Sequence, residues 1–92
     1  MTKRDLVVGV ATEMGLTQSV VKRVIESTLQ EIVDSLCRGE KVELRDFGVF
    51  KVKKRKERIA RNPKTGEEVP IKARRVAYFK PGKLLKDKIE NS

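Results

Sequence analysis

Eleven lysine and arginine side chains lie between residues 51 and 75, against three glutamates. The cations are Lys51, Lys53, Lys54, Arg55, Lys56, Arg58, Arg61, Lys64, Lys72, Arg74 and Arg75. Such a density does one kind of chemistry: it displaces the counterions condensed on a polyanion, so the leading partner is nucleic acid. At the middle of the stretch, Arg61-Asn62-Pro63-Lys64-Thr65-Gly66 puts Pro and Gly where a tight chain reversal uses them. Covalent chemistry has far less to work with. The chain has no histidine and one cysteine, Cys37, and its carboxylates are scattered. No nucleophile–base pair can be assembled from these, so an enzyme with a small-molecule substrate is not expected. No group has the ligand spacing of a zinc site, which excludes zinc-finger binding and leaves no metal or cofactor expected. Cys37 sits among apolar neighbours at the end of a helical pattern and reads as a buried structural thiol.

The elements that carry this cluster must fit in 92 residues, enough for one small domain over 1–92. Formal net charge is +9 and the pI near 10.0, but the charge is segregated. Residues 1–40 sum to −1 and residues 41–92 to +10. The first part looks built to fold and associate, the second to meet phosphate. A membrane surface is the weaker alternative, since a basic anchor would also need exposed bulky apolar residues. There is no signal-like apolar run after Met1 and no stretch near the roughly 20 apolar residues of a membrane span. The expectation is a soluble, cytoplasmic protein.

Residues 1–40 read as two helices forming a dimerisation base. Thr2 can cap the first, with Asp5 three residues on completing a capping box, and Gly15 suits its stop. Leu6, Val7, Val10, Ala11 and Met14 make its apolar stripe. Thr17 caps a longer helix running to about Arg38 and closed by Gly39. Its apolar positions come in pairs: Val20/Val21, Val24/Ile25, Thr28/Leu29, Ile32/Val33 and Leu36/Cys37. Steps of four overshoot a 3.6-residue turn by about 40° each, so the stripe sweeps around the helix. One short neighbour cannot cover so wide a face. A second copy could, which points to an interlocked dimer with Leu29, Ile32 and Leu36 in its core.

Residues 41–80 read as a three-stranded antiparallel sheet drawn out into a long hairpin arm over about 53–76. Lys41-Val42-Glu43-Leu44-Arg45 alternates polar and apolar, Asp46-Phe47-Gly48 is a turn, and Val49 to about Ala60 continues as a second strand. Phe50 and Val52 can face a core; beyond them both faces are charged. Glu67 to Phe79 returns as a third strand, with Val69, Ile71 and Ala73 at alternate positions. Pro81-Gly82 opens a short C-terminal helix in 81–92, with Leu85 and Ile89 one turn apart. The fold class is therefore α+β. The arm's lysines could be an edge that blocks sheet-to-sheet aggregation, but eleven cations exceed that need and favour phosphate contact, Lys53 and Lys64 included.

Phe47-Gly48-Val49-Phe50-Lys51-Val52, Arg55, Arg58, Arg61-Asn62-Pro63-Lys64-Thr65-Gly66, Ile71, Ala73, Phe79, Gly82 and Leu85-Lys86 closely resemble the bacterial histone-like family that includes HU and integration host factor. The resemblance spans the whole chain. It implies an intertwined dimer, with a second copy or a paralogous subunit, whose two β-arms embrace double-stranded DNA in the nucleoid and bend it. It implies further that Pro63 is an apolar wedge at a base step, with Arg61 and Asn62 beside it in the minor groove. Arg55, Arg58, Lys72, Arg74 and Arg75 would line the arm against sugar and phosphate, and Lys3, Lys80, Lys83 and Lys86 would meet flanking DNA. Phe47, Phe50 and Phe79 resemble the family's aromatic dimer core. The stretches 70–76 and 79–83 look more like integration host factor than HU. Glu43 with Arg45 resembles a pair whose arginine reaches the minor groove; an exposed cross-strand ion pair is the equal alternative. Asp46 and Ala60 stand where the family often has glycine.

Two other nucleic-acid readings compete. Ala11, Gly15-Leu16-Thr17 and Val21 match helix-turn-helix spacing. The second helix of that motif, however, would carry only Lys22 and Arg23 as cations among Glu26, Glu31 and Asp34. An RNA-binding protein would share the charge, but the A-form groove is a poor fit to a wedge-tipped arm.

Overall fold

The computed structural model describes residues 1–92. Two compact units divide the chain, Met1–Ser35 and Leu36–Ser92.

In the first unit, helix α1 (Lys3–Met14) starts at the capping box expected from Thr2 and Asp5. The Thr2 hydroxyl accepts from the Asp5 N–H at 3.2 Å, and the Asp5 carboxylate accepts from the Thr2 N–H at 2.8 Å. Gly15 ends the helix in the left-handed region at φ +67°, a conformation cheap for glycine. Helix α2 (Gln18–Cys37) follows, with the Thr17 hydroxyl accepting from the Val20 N–H at 3.3 Å. Val7, Ala11 and Val21 are buried together, with Ile25 packed against them. Those three are the only buried hydrophobic side chains. Of the rest of both stripes, Leu6, Val10, Met14, Val20, Val24, Leu29 and Val33 stay exposed in the single chain, and Ile25, Ile32 and Leu36 are half-buried.

In the second unit, strands β1 (Val42–Leu44), β2 (Gly48–Arg55) and β5 (Arg74–Pro81) form an antiparallel sheet in the order β1-β2-β5. Strands β3 (Arg58–Arg61) and β4 (Glu68–Ile71) form a separate two-stranded ladder, and helix α3 (Lys83–Glu90) closes the chain. Phe50 and Phe79 stand directly opposite each other across β2 and β5, with ring centroids 4.7 Å apart. Phe47 reaches the same Phe79 ring at 5.4 Å. Gly48 is buried because nothing else fits. A Cβ there would run into the Phe79 ring and stand 2.6 Å from the Lys80 carbonyl oxygen. The Phe47 carbonyl accepts from the Gly82 N–H at 2.9 Å, tying the turn before β2 to the start of α3.

Several expectations need correction. The two arm strands are not continuous: β2 stops at Arg55 before β3 starts at Arg58, and β4 stops at Ile71 before β5 starts at Arg74. The register is nevertheless the same on both sides, with Arg55 opposite Arg74 and Arg58 opposite Ile71. The interruption begins just beyond two like-charged pairs that are still in the ladder, Lys54 opposite Arg75 and Arg55 opposite Arg74. Such pairs destabilise a ladder. Ala73, expected to alternate with Val69 and Ile71, therefore lies outside either strand. Cys37 is exposed, not buried, because it is the last residue of α2 and nothing in the single chain packs over it. Asp46 takes φ +67°, a left-handed conformation unusual for a residue with a side chain. A glycine would take this conformation without the strain of a side chain.

Candidate nucleic-acid interface

Antiparallel pairing puts directly opposed residues on one face of a sheet, and alternation sends their neighbours to the other. One face of the β1-β2-β5 sheet carries Val42, Leu44, Phe50, Val52 and Phe79. The opposite face carries Lys80 beside Val49, Lys51 beside Tyr78, Lys53 beside Val76, and Arg55 beside Arg74. Five cations thus line one face from the body to the root of the arm. Lys53 lies over the Tyr78 ring, 4.3 Å from its centroid, a cation–π contact that holds the ammonium on this face.

Lys51, counted in the cationic run but given no contact of its own from the sequence, belongs to this row. Its signal was the period of two counted back from Lys53. Where the ladder is interrupted, Lys53, Lys54, Arg55, Lys56, Arg58, Lys72 and Arg74 surround a hollow of about 350 Å³, with Ile71 as its apolar wall. Seven cations around one concavity make a strongly anion-attracting surface.

The tip is built by Asn62. Its side-chain oxygen accepts from the Lys64 N–H at 2.9 Å, its carbonyl from the Gly66 N–H at 2.7 Å, and its own N–H donates to the Glu67 carbonyl at 2.8 Å. The Thr65 hydroxyl accepts from the Glu67 N–H at 3.3 Å, and Gly66 takes φ +73°. This is the local side-chain-to-backbone chemistry that lets Asn nucleate turns. It leaves Pro63 exposed at the apex, with Arg61 and Lys64 exposed on either side. Asn62 is half-buried and has structural work in the turn, apart from any role in a groove. Arg61 stands opposite Glu68 in the ladder.

The remaining candidates fall elsewhere. Lys80, Lys83 and Lys86 gather around one hollow with Asp87 and Glu90. Lys3 pairs with Glu26 at 3.4 Å, an exposed contact worth under about 1 kcal/mol that a phosphate can displace. Arg45 lies in the exposed turn before Gly48, and the ion pair with Glu43 is not formed: the salt bridges seen are Lys3–Glu26 and Arg38–Glu40. Arg75 faces away from Arg74 and donates to the carbonyls of Leu36 and Cys37 at 3.1 and 3.2 Å. Of the expected dimer core, Phe47 and Leu29 are 47% and 46% exposed in the single chain. Phe50, Phe79, Ile32 and Leu36 are half-buried.

The family model of the bacterial DNA-binding proteins matches residues 1–90. The chain belongs to that family. Among relatives within it, integration host factor subunit alpha of Paracoccus denitrificans is 48% identical over 89 residues, covering 97% of this chain and 87% of that protein. The subunit alpha of Xanthobacter autotrophicus is 47% identical over 92 residues, covering 100% of this chain and 88% of that one. Among solved structures, the HU chain of the Anabaena HU–DNA cocrystal superposes with a TM-score of 0.90 at 38% identity, covering 100% of both chains. HU from Thermotoga maritima gives 0.70 at 31% identity, covering 97% of this chain and 98% of that one. The bacterial DNA-binding fold explains the order of elements: two helices, a sheet prolonged into a cationic hairpin, and a short last helix. No helix is long and apolar enough to cross a membrane.

Proposed function

We propose that the chain is one subunit of a dimeric architectural protein that binds and bends duplex DNA, its partner being a second copy or a paralogous subunit. Each arm lies in the minor groove and Pro63 enters a base step as an apolar wedge. Arg61 sits beside it, and Lys53, Arg55, Arg58, Lys64, Lys72 and Arg74 take sugar and phosphate along the arm. Lys3, Arg45, Lys80, Lys83 and Lys86 take flanking DNA. The observation that carries this reading is one hairpin in a single register, cationic on one face from Lys80 to Arg55 and exposing Pro63 at its apex. Membership of a DNA-binding family and overlap with an HU chain from a DNA cocrystal support it.

The dimer is supported by the poverty of the single chain's core. Three buried hydrophobic residues cannot hold 92, and the exposed valines and leucines of α2 with Phe47 need a second chain to cover them. The wedge works because unstacking one step localises the bend, and the bend brings flanking phosphates onto the body. Bending of this kind serves nucleoid organisation and the assembly of recombination, replication or transcription complexes, in the cytoplasm.

The test is fluorescence resonance energy transfer between the ends of a short duplex. The native dimer is expected to shorten the end-to-end distance at saturation. Pro63→Ala and Arg61→Ala should weaken binding about tenfold, roughly 1.4 kcal/mol, and reduce the bend. Gln18→Ala and Lys22→Ala, on the helix a helix-turn-helix would use, should change neither. Unbent DNA in the saturated native complex would falsify this account.

A further inference from the structure

We propose that Arg75 is a positioning residue that fixes the root of the arm by capping the carboxyl end of α2, and that it does not contact phosphate. The inference rests on the arm reading above. The last turn of α2 holds no basic side chain of its own. Its final carbonyls and the negative end of its macrodipole are therefore left uncompensated within the helix. Arg38, the next residue, is occupied with Glu40 at 3.5 Å. The missing cation comes from β5, 39 residues beyond Leu36 in the chain. One Arg75 nitrogen, Nη2, donates to the Leu36 carbonyl at 3.1 Å and to the Cys37 carbonyl at 3.2 Å.

Two further observations point the same way. The Leu36 oxygen also accepts from the Gly39 N–H at 3.0 Å, so both of its lone pairs are used. Gly39 makes this possible with φ +81°, a left-handed conformation that suits glycine, and lies beside the same Arg75 nitrogen. The ladder then separates two consecutive arginines. Arg74 is opposite Arg55 on the cationic face, whereas Arg75 is opposite Lys54 on the face with Val52 and Phe79. Arg74 also lines the cationic hollow at the interruption, and Arg75 does not. Arg75 is also the second residue of β5, just inside the interruption at 72–73. A clamp at that point holds β5 to the helix end and confines arm movement to the joint beyond it.

The experiment compares Arg75→Ala with Arg74→Ala in the full chain, with Arg75→Met as the variant that keeps the apolar stem if the alanine fails to fold. In free protein, amide exchange at Gly39 and at residues 74–76 should quicken about 2- to 10-fold in both Arg75 variants, the fold-change of one net hydrogen bond. Arg74→Ala should leave it unchanged. With duplex DNA, Arg74→Ala should lower the slope of log affinity against log salt by about 0.9. The Arg75 variants should keep the native slope while binding weakens at every salt concentration. A slope reduced in the Arg75 variants, or unchanged exchange in the free protein, overturns the proposal. If Arg74→Ala fails to move the slope, the arm reading fails, and the exchange measurement still decides the cap because it contains no DNA.

Discussion

The inner and outer parts of the hairpin share one register and differ in everything else. Along β2 and β5 an aromatic pair, a glycine that admits it, and Val52 opposite Ala77 give the sheet one apolar face. Along β3 and β4 no residue is buried; Ile59 is 70% exposed, and only the ladder and the Asn62 turn hold the strands together. An isolated two-stranded ladder is marginal in water. The inner part is therefore held by its own packing, while the outer part rests on its ladder and turn alone. A protein that must enter a narrow groove has reason to be built this way, since a packed arm would need a thickness the groove does not admit.

The contrast can be broken most forcefully at Gly48. Replacing it by alanine should cost about 3 kcal/mol or more and lower Tm by about 12 °C or more, because the new Cβ meets backbone as well as a ring. Calorimetry of the free dimer measures it; a Tm within 2–3 °C of native, about 0.5 kcal/mol, would show that the packed body is not what carries stability. A smaller effect belongs to the tip. Asn62→Ala removes the acceptor for the Lys64 N–H, so exchange at Lys64 should rise by the equivalent of about 1 kcal/mol while Tm stays put. A fall in Tm would mean that body and tip unfold together.

The third expectation sharpens the division of faces. Lys51→Ala should lower the salt slope of DNA binding by about 0.9 and Lys22→Ala by much less, since Lys51 lies on the cationic face and Lys22 on α2. Equal slopes would erase the distinction. The smallest effect lies in the turn leading into β2. Asp46→Gly relieves a left-handed side-chain-bearing residue and should raise stability by about 0.5 kcal/mol, readable as a rise of 2–4 °C in Tm.

Much of this was legible in the residues because it depends on short-range chemistry. The Thr2–Asp5 box, the Gly15 and Gly39 stops and the Thr17 cap are settled within four residues of themselves. The same is true of the turn from Asn62 to Glu67 and of the cationic run around it. Charge segregation needs no fold at all, and it already separates an associating half from a phosphate-seeking one.

What only the tertiary structure decided concerns partners distant in sequence. Alternation relates Lys51 to Lys53 from one strand alone, but Lys51 joins Arg74 on one face only because the hairpin register pairs residues more than twenty positions apart. The same register turns Arg75 away from Arg74 and delivers it to a helix end that has no cation of its own. Gly48 reads as a turn glycine until Phe79 is seen across it. The strands looked continuous because the register is the same on both sides of the break, and periodicity does not register where pairing lapses. Cys37 looked buried because an apolar stripe does not say whether its own chain or another will cover it.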